Sequence, residues 1–309
     1  MNNVWRKLFI LTGLLLCNLA WAADLNHTLV DAAIIGDHEA VQSLISRGAD
    51  PNAKSQFGKS AMMFAAEGGN EDVVSLLVKH GADINARSQV GCTALTYAAE
   101  NGHTRLVNFL LDNGAKTYPK TRAGWDALAM ASRQGHPDAV AALLAHKANV
   151  NTSDKDGVTA LMAAAVRNDI PIVTMLLTAD ADLHVRDKNG MSAMMLSACK
   201  GHHDMVQLLL KHGANVHAVN NDAETSLFCA TAGGHTEVMA LLLKQGADIN
   251  HQDLNGETAL FAATINRQTN AVRFLLQHGA DRRIANRKGR TARDLAVVNR
   301  LRDIAKLLE

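Results

Sequence analysis

The sequence predicts an all-α protein, a solenoid of about nine helix–turn–helix units with projecting β-turn loops. Three observations predict it. The stretch from Gly58 to Val90 returns every 33 residues, opening again at Gly91, Gly124, Gly157, Gly190, Ala223, Gly256 and Gly289. A fixed period of this size marks stacked supersecondary units rather than one round core. Counted from each opening residue, slot 20 is Leu in all nine copies, from Leu44 to Leu308, and slot 25 is Ala in the eight copies that reach it, from Ala49 to Ala280. Slots 12 and 24 are mostly Gly, as at Gly69 and Gly81. A residue free to enter the left-handed region ends a helix there.

The elements of one copy follow in order. Slots 3 to 10 hold small and apolar residues at helical spacing, as in T-A-L-M-A-A-A from Thr159, and give a first helix. A second apolar run, V-V-S-L-L-V from Val73, gives a second. The tail A-D-x-N is turn chemistry leading through a projecting loop to the next copy. Two short helices cannot cover their own apolar faces, so each unit needs neighbours. Leu at slot 20 is expected to fill the shared core, and Ala at slot 25 to let backbones approach.

At these residues the chain resembles the ankyrin-repeat family. The matching pieces are G-x-T-A-L-x-x-A-A at Gly157 to Ala165, G-H at Gly102-His103 and Gly201-His202, and G-A-D-I-N at Gly81 to Asn85 and Gly246 to Asn250. The resemblance covers roughly residues 25–309. It departs in one recurring way. The family's T-P-L-H turn stands here as T-A-L-x, with Met63, Thr96, Met162, Met195 or Phe228 in the His slot. That leaves the turn's Thr–His hydrogen bonds open, though not the fold.

Along the chain, residues 1–22 read as a signal peptide: Arg6 and Lys7, then an apolar run from Leu8 to Leu16, then Ala20-Trp21-Ala22 as a small-x-small cleavage site. The mature chain would begin at Ala23. Residues 23–57 read as an N-terminal capping repeat with a weak opening helix. Residues 58–288 are seven repeats, and 289–309 a truncated C-terminal capping repeat without an exit loop. In the fourth and fifth repeats Lys147, Asp180 and Asn168 replace stop glycines. A left-handed Lys or Asp costs about 1 kcal/mol, so these repeats are expected to be the soft part of the stack. Pro137 and Pro171 fall in first turns, where no N–H is needed.

Composition narrows the function. The net charge of +1 becomes −1 without Arg6 and Lys7, which argues against nucleic acid or an anionic membrane as partner. Past the signal no apolar run is long enough to span a bilayer. Cys92, Cys199 and Cys229 form no disulfide framework; Cys199 and Cys229, on first helices of adjacent units, could pair. His103, His136, His202 and His235 share one slot and read as structural. Gly58-Lys59-Ser60 copies only the end of a phosphate loop, and it follows no strand. No catalytic or metal-ligating motif appears and the period never breaks to form a cleft. The expectation is a non-catalytic protein with no cofactor and no metal; a metal-dependent hydrolase is the weaker alternative.

The resemblance implies binding of another protein through slots 2, 10, 11 and 30 to 33. Those slots here include Phe57, Arg122, Trp125, Arg133, Lys155 and Arg167. Trp125 is a large aromatic in a chain with 4% aromatics, flanked by Arg122 and Arg133, and Trp and Arg dominate interface hot spots. It is expected either as an exposed anchor or packed on its own loop with Arg122 stacked on it. A basic cluster, Arg282, Arg283, Arg287, Lys288 and Arg290, closes the chain. The expected protein is a monomeric scaffold exported to the periplasm, with a secreted, host-directed effector as the second reading.

Overall fold

Nearly every opening helix starts at a short polar side chain. Ser60, Thr93, Asp126, Thr159, Ser192, Thr225 and Thr291 stand at N-caps, and the side-chain oxygen of each accepts the N–H three residues on. This satisfies one of the N–H groups a helix start leaves unpartnered. The computed structural model describes residues 24–309. The signal peptide expected at residues 1–22 lies outside the described residues. The chain divides into two compact units, with the sequence boundary between Asn149 and Val150.

The unit up to Asn149 holds four helix pairs: α1 (24–35) with α2 (His38–Ser46), α3 (Ala61–Glu67) with α4 (Glu71–Lys79), α5 (Ala94–Glu100) with α6 (Thr104–Asp112), and α7 (Ala127–Gln134) with α8 (Pro137–Ala145). Opening helices pack on opening helices (α3 on α5, α5 on α7), and second helices on second helices (α2 on α4, α6 on α8). The opening helix of the first repeat is not weak. α1 runs from 24 to 35 and buries Leu25, Leu29, Val30 and Ala33; apolar spacing holds it without the Thr-Ala-Leu start.

The unit from Val150 repeats the plan with five pairs: α9 (Ala160–Val166) and α10 (Ile170–Thr178), α11 (Ala193–Cys199) and α12 (His203–Lys211), α13 (Ser226–Ala232) and α14 (Thr236–Lys244), α15 (Ala259–Ile265) and α16 (Thr269–Gln277), α17 (Ala292–Val298) and α18 (Arg302–Leu307). The opening helices α9, α11, α13, α15 and α17 pack in succession. Among the described residues there is no extended strand. The projecting loops close as single antiparallel bridges, Lys54 to Ser60 in the first unit and Ser153 to Thr159, Val219 to Thr225 and Ala285 to Thr291 in the second.

The invariant slots now have physical reasons. Every slot-20 Leu is buried, at 0–5% exposure. The slot-25 Ala is mostly only half-buried, and its N–H donates to the slot-20 carbonyl, as from Ala82 to Leu77 at 3.0 Å. That bond closes the helix end around the left-handed residue at slot 24. The open question of the T-A-L-x turn also resolves. The residue in the His slot gives its N–H to the cap oxygen (Met63 to Ser60, 3.3 Å), and Thr96 Oγ1 accepts the Thr93 N–H at 2.6 Å. In the last repeat Asp294 does the same for Thr291, which holds its carboxyl below the usual range.

The left-handed positions expected at Lys147, Asn168 and Asp180 are there, at φ 59°, 60° and 62°. Ala223, Arg267 and Arg300 share the conformation. The strain therefore extends beyond the fourth and fifth repeats.

Neighbouring repeats also exchange hydrogen bonds at fixed slots. Nε2 of His103, His136, His202 and His235 donates to the carbonyl 36 residues earlier: Glu67, Glu100, Val166 and Cys199, at 2.9–3.2 Å. Asn52, Asn85 and Asn151 each clamp the following exit loop, as where Asn85 donates to Gly114 O (3.1 Å) and accepts from Lys116 N (2.9 Å).

The His ring explains why slot 12 is so often Gly. A Cβ on Gly102 would lie 2.5 Å from His136 Nδ1, whereas one on Gly81 meets nothing within 4 Å. Both residues are left-handed, at φ 71° and 85°. Gly81→Ala is expected to cost about 1 kcal/mol, the backbone strain alone. Gly102→Ala adds loss of the His136 bond, about 1 kcal/mol more, and the clash on top. Urea midpoints of the two variants test this; equal midpoints would show that the ring gives way freely.

Candidate interaction surface

The loops of the first unit are held side by side. Gln89 Nε2 donates to Gln56 O at 3.3 Å, Arg122 N to Val90 O at 2.8 Å, and Arg87 Nη2 to Lys120 O. Their tips share slot 33, occupied by Phe57, Val90 and Ala123. Phe57 is 67% exposed and Val90 48%. Phe57 also walls an open cleft of about 580 Å³ with Val30, Ile34 and Phe64, whose rim carries His27, Asp31 and Lys54. Charge on these loops is one-sided. Lys54, Arg87, Lys116, Lys120 and Arg122 share these loops with Asp50 and Asp83, whose carboxylates accept the N–H groups of Asn52 and Asn85, while Lys59 is paired with Glu67.

Trp125 is not an exposed anchor. It is 9% exposed, and its backbone pairs with Thr121 in both directions, at 2.8 and 3.1 Å. The ring lies under the Arg133 guanidinium at 5.6 Å, so the stacked cation is Arg133 rather than Arg122. Arg122 and Arg133 are exposed. The reason is register: slots 2 and 10 of one repeat are neighbours. The second repeat shows the same pairing, where Lys59 (slot 2) is bonded to Glu67 (slot 10). Lys59 Nζ also lies 4.3 Å from the Phe64 ring and 4.0 Å from that of Tyr97. Burial pushes the Tyr97 phenol up to about 12 and raises the adjoining Cys92 thiol.

Two residues were legible but not singled out. Val90 sits one period after Phe57. Tyr118 takes the slot of the clamp Asn, is 66% exposed, and lies 5.7 Å from Lys116 Nζ beside a shallow pocket of about 330 Å³. An aromatic where the repeat wants Asn was the signal.

In the second unit Lys155 and Arg167 are exposed, but their surroundings differ. Lys155 stands between Asp154 and Asp156, and Asp156 is paired with Lys188 at 2.8 Å. Later tips are Asn189, Asp222 and Asn255, so the apolar, cationic tip row belongs to the first unit. The terminal basic cluster is partly spent: Arg283 pairs with Asp281 at 3.1 Å and holds that carboxyl below its ordinary value. Among the described residues no three His, Cys, Asp or Glu side chains are grouped to hold a metal ion, and no helix is long and apolar enough to cross a membrane.

Capped helix pairs stacked like on like within each unit, joined by projecting loops, define a helical-repeat protein. The ankyrin-repeat family model matches residues 29–121, 116–187, 162–253 and 245–309. The chain belongs to the ankyrin-repeat family. No curated protein matches it.

Two outcomes follow. Trp125→Ala is expected to destabilise the first unit by about 3–5 kcal/mol, read by urea unfolding; a cost under about 1 kcal/mol would contradict its burial. Tyr97 gives a pH dependence. An unfolded tyrosine ionises near pH 10, so between about 10 and about 12 the unfolded chain loses a proton that the folded one keeps. Stability then falls as pH rises. The stability difference between wild type and Tyr97→Phe should be flat below about pH 10 and shrink above it; parallel curves would refute the shift.

Proposed function

We propose that the protein is a non-catalytic interaction scaffold that binds an acidic protein segment on the loop side of its N-terminal unit. The observation that carries this reading is the open cleft of about 580 Å³ walled by Val30, Ile34, Phe57 and Phe64. Beside it run loops with five cations, apart from the Glu67-paired Lys59, against two carboxylates. An apolar side chain buried in such a cleft contributes about 1.5–3 kcal/mol, and the cations speed encounter with an acidic partner. Ankyrin repeats are in general protein-binding scaffolds, which supports the class of function. Of the residues expected from sequence, Phe57 and Arg122 fit this surface directly. Trp125 is buried beneath the exposed Arg133, and Lys155 and Arg167 lie in the second unit.

From residues 1–22 alone we further read the protein as exported, to the periplasm first, with the secreted effector as the alternative. Photo-crosslinking in the periplasm tests both readings. A crosslinker at Ile34 or Val90 should give one shared adduct, abolished by Phe57→Asp and absent from Ser75 on the exposed side of α4. The captured chain should begin at Ala23. Adducts of equal yield from Ser75, or ones indifferent to Phe57→Asp, would remove the surface. Recovery of the intact chain from Met1 in the cytoplasm would remove export.

A further inference from the structure

One pair of side chains in the second unit has no part in the interaction surface. Cys199 ends α11, and Cys229 stands within α13. These two helices pack directly. Both helices carry small, fully buried residues, Ala198 and Ala230 at 0% exposure. The 33-residue period sets Ala232 in the slot equivalent to Cys199, and Cys229 lies one helical turn before it. The two thiols are close enough that each is the largest influence on the other's ionisation. Neither cysteine is in a disulfide. We propose that Cys199 and Cys229 form a dithiol that oxidises to an intramolecular disulfide and clips the sixth repeat to the seventh.

The environments assign the order of events. Cys199 is half-buried and Cys229 buried, so an oxidant meets Cys199 first. The neighbouring Cys229 favours the Cys199 thiolate and holds its pKa below the ordinary thiol value. The same proximity, with burial, pushes Cys229 up. A low-molecular-weight disulfide such as oxidised glutathione serves as oxidant. The Cys199 thiolate attacks one of its sulfurs, its S–S bond breaks, and one glutathione thiolate leaves. Cys229 then gives up its proton and attacks the Cys199 sulfur of the mixed disulfide, expelling the second glutathione. The protein loses two electrons and two protons, and one oxidised glutathione becomes two reduced ones. Cys92 supplies the internal contrast. It is buried in the other unit, burial raises its thiol, and it adjoins Tyr97 rather than a second cysteine.

The experiment treats the full, folded chain with excess oxidised glutathione, alkylates free thiols and digests without reduction. Tryptic peptides 189–200 and 212–244 should appear joined, with Cys92 alkylated. In Cys229→Ser, Cys199 should stop as the glutathione mixed disulfide. In Cys199→Ser, Cys229 should react about tenfold more slowly or less, because it lacks both thiolate character and access. Full alkylation of both cysteines in the treated native chain would overturn the proposal. So would a link that forms only when urea is added.

Discussion

Each repeat finishes a hydrogen-bond account that its neighbour leaves open. The last carbonyls of an opening helix have no partner within that helix, and a buried one left alone costs about 1–3 kcal/mol. In the first unit His103 reaches Glu67 O and His136 reaches Glu100 O; in the second, His202 and His235 reach Val166 O and Cys199 O. At Gly102 and Gly201 the ring takes the space a Cβ would fill, whereas His202 makes its bond although the preceding repeat carries the left-handed Asn168 at that slot. Magnitudes separate the roles. A buried Leu is worth about 2–5 kcal/mol against Ala, a single such hydrogen bond about 1. Leucine packing holds neighbours together, while the His and Asn bonds fix how they are seated.

Seating fixed in this way frees the loops. Four exit loops are tied at their base by an Asn of the preceding repeat, as Asn52 ties Asp83 and Asn250 ties Asp281. Their outer residues then carry little structural duty. The two units use that freedom differently. The first exposes Phe57, Val90 and Tyr118 among cations; the second displays Asp156, Asn189 and Asp222 at equivalent tips. One scaffold thus offers two chemically distinct loop rows; the first exposes Phe57, Val90 and Tyr118 and the second Leu254, so the larger exposed apolar area on loops lies in the first.

Period, helix pairs, caps and the buried leucines were legible in the sequence because each is a local rule repeated many times. Lys147, Asn168 and Asp180 could be read as left-handed for the same reason: they stand where Gly recurs. Ala223, Arg267 and Arg300 stand at recurring Gly slots as well, at slots 1, 12 and 12, so the same rule marks them. The site was less legible. Phe57 was found from its slot, but the burial of Trp125 depends on Arg133 eight positions on, and the cleft beside Phe57 depends on α1, whose spacing departs from the repeat. Contacts between unlike slots leave no periodic trace.

The fate of slots 2 and 10 shows how recognition and stability divide the same residues. By family resemblance both slots should face a partner. In this chain Lys59 is bonded to Glu67 between two aromatic rings, and Trp125 lies beneath Arg133. A partner reaching for either would first have to undo a cation–ring contact worth about 0.5–1 kcal/mol at an exposed site, and more for Lys59, whose side chain is 13% exposed. Tip residues carry no such debt. Phe57 and Val90 are already solvated, so covering them is favourable from the first contact. On the proposed reading, competition within the repeat moves recognition in the first unit outward, from the helix slots to the loop tips and the cleft beside Phe57.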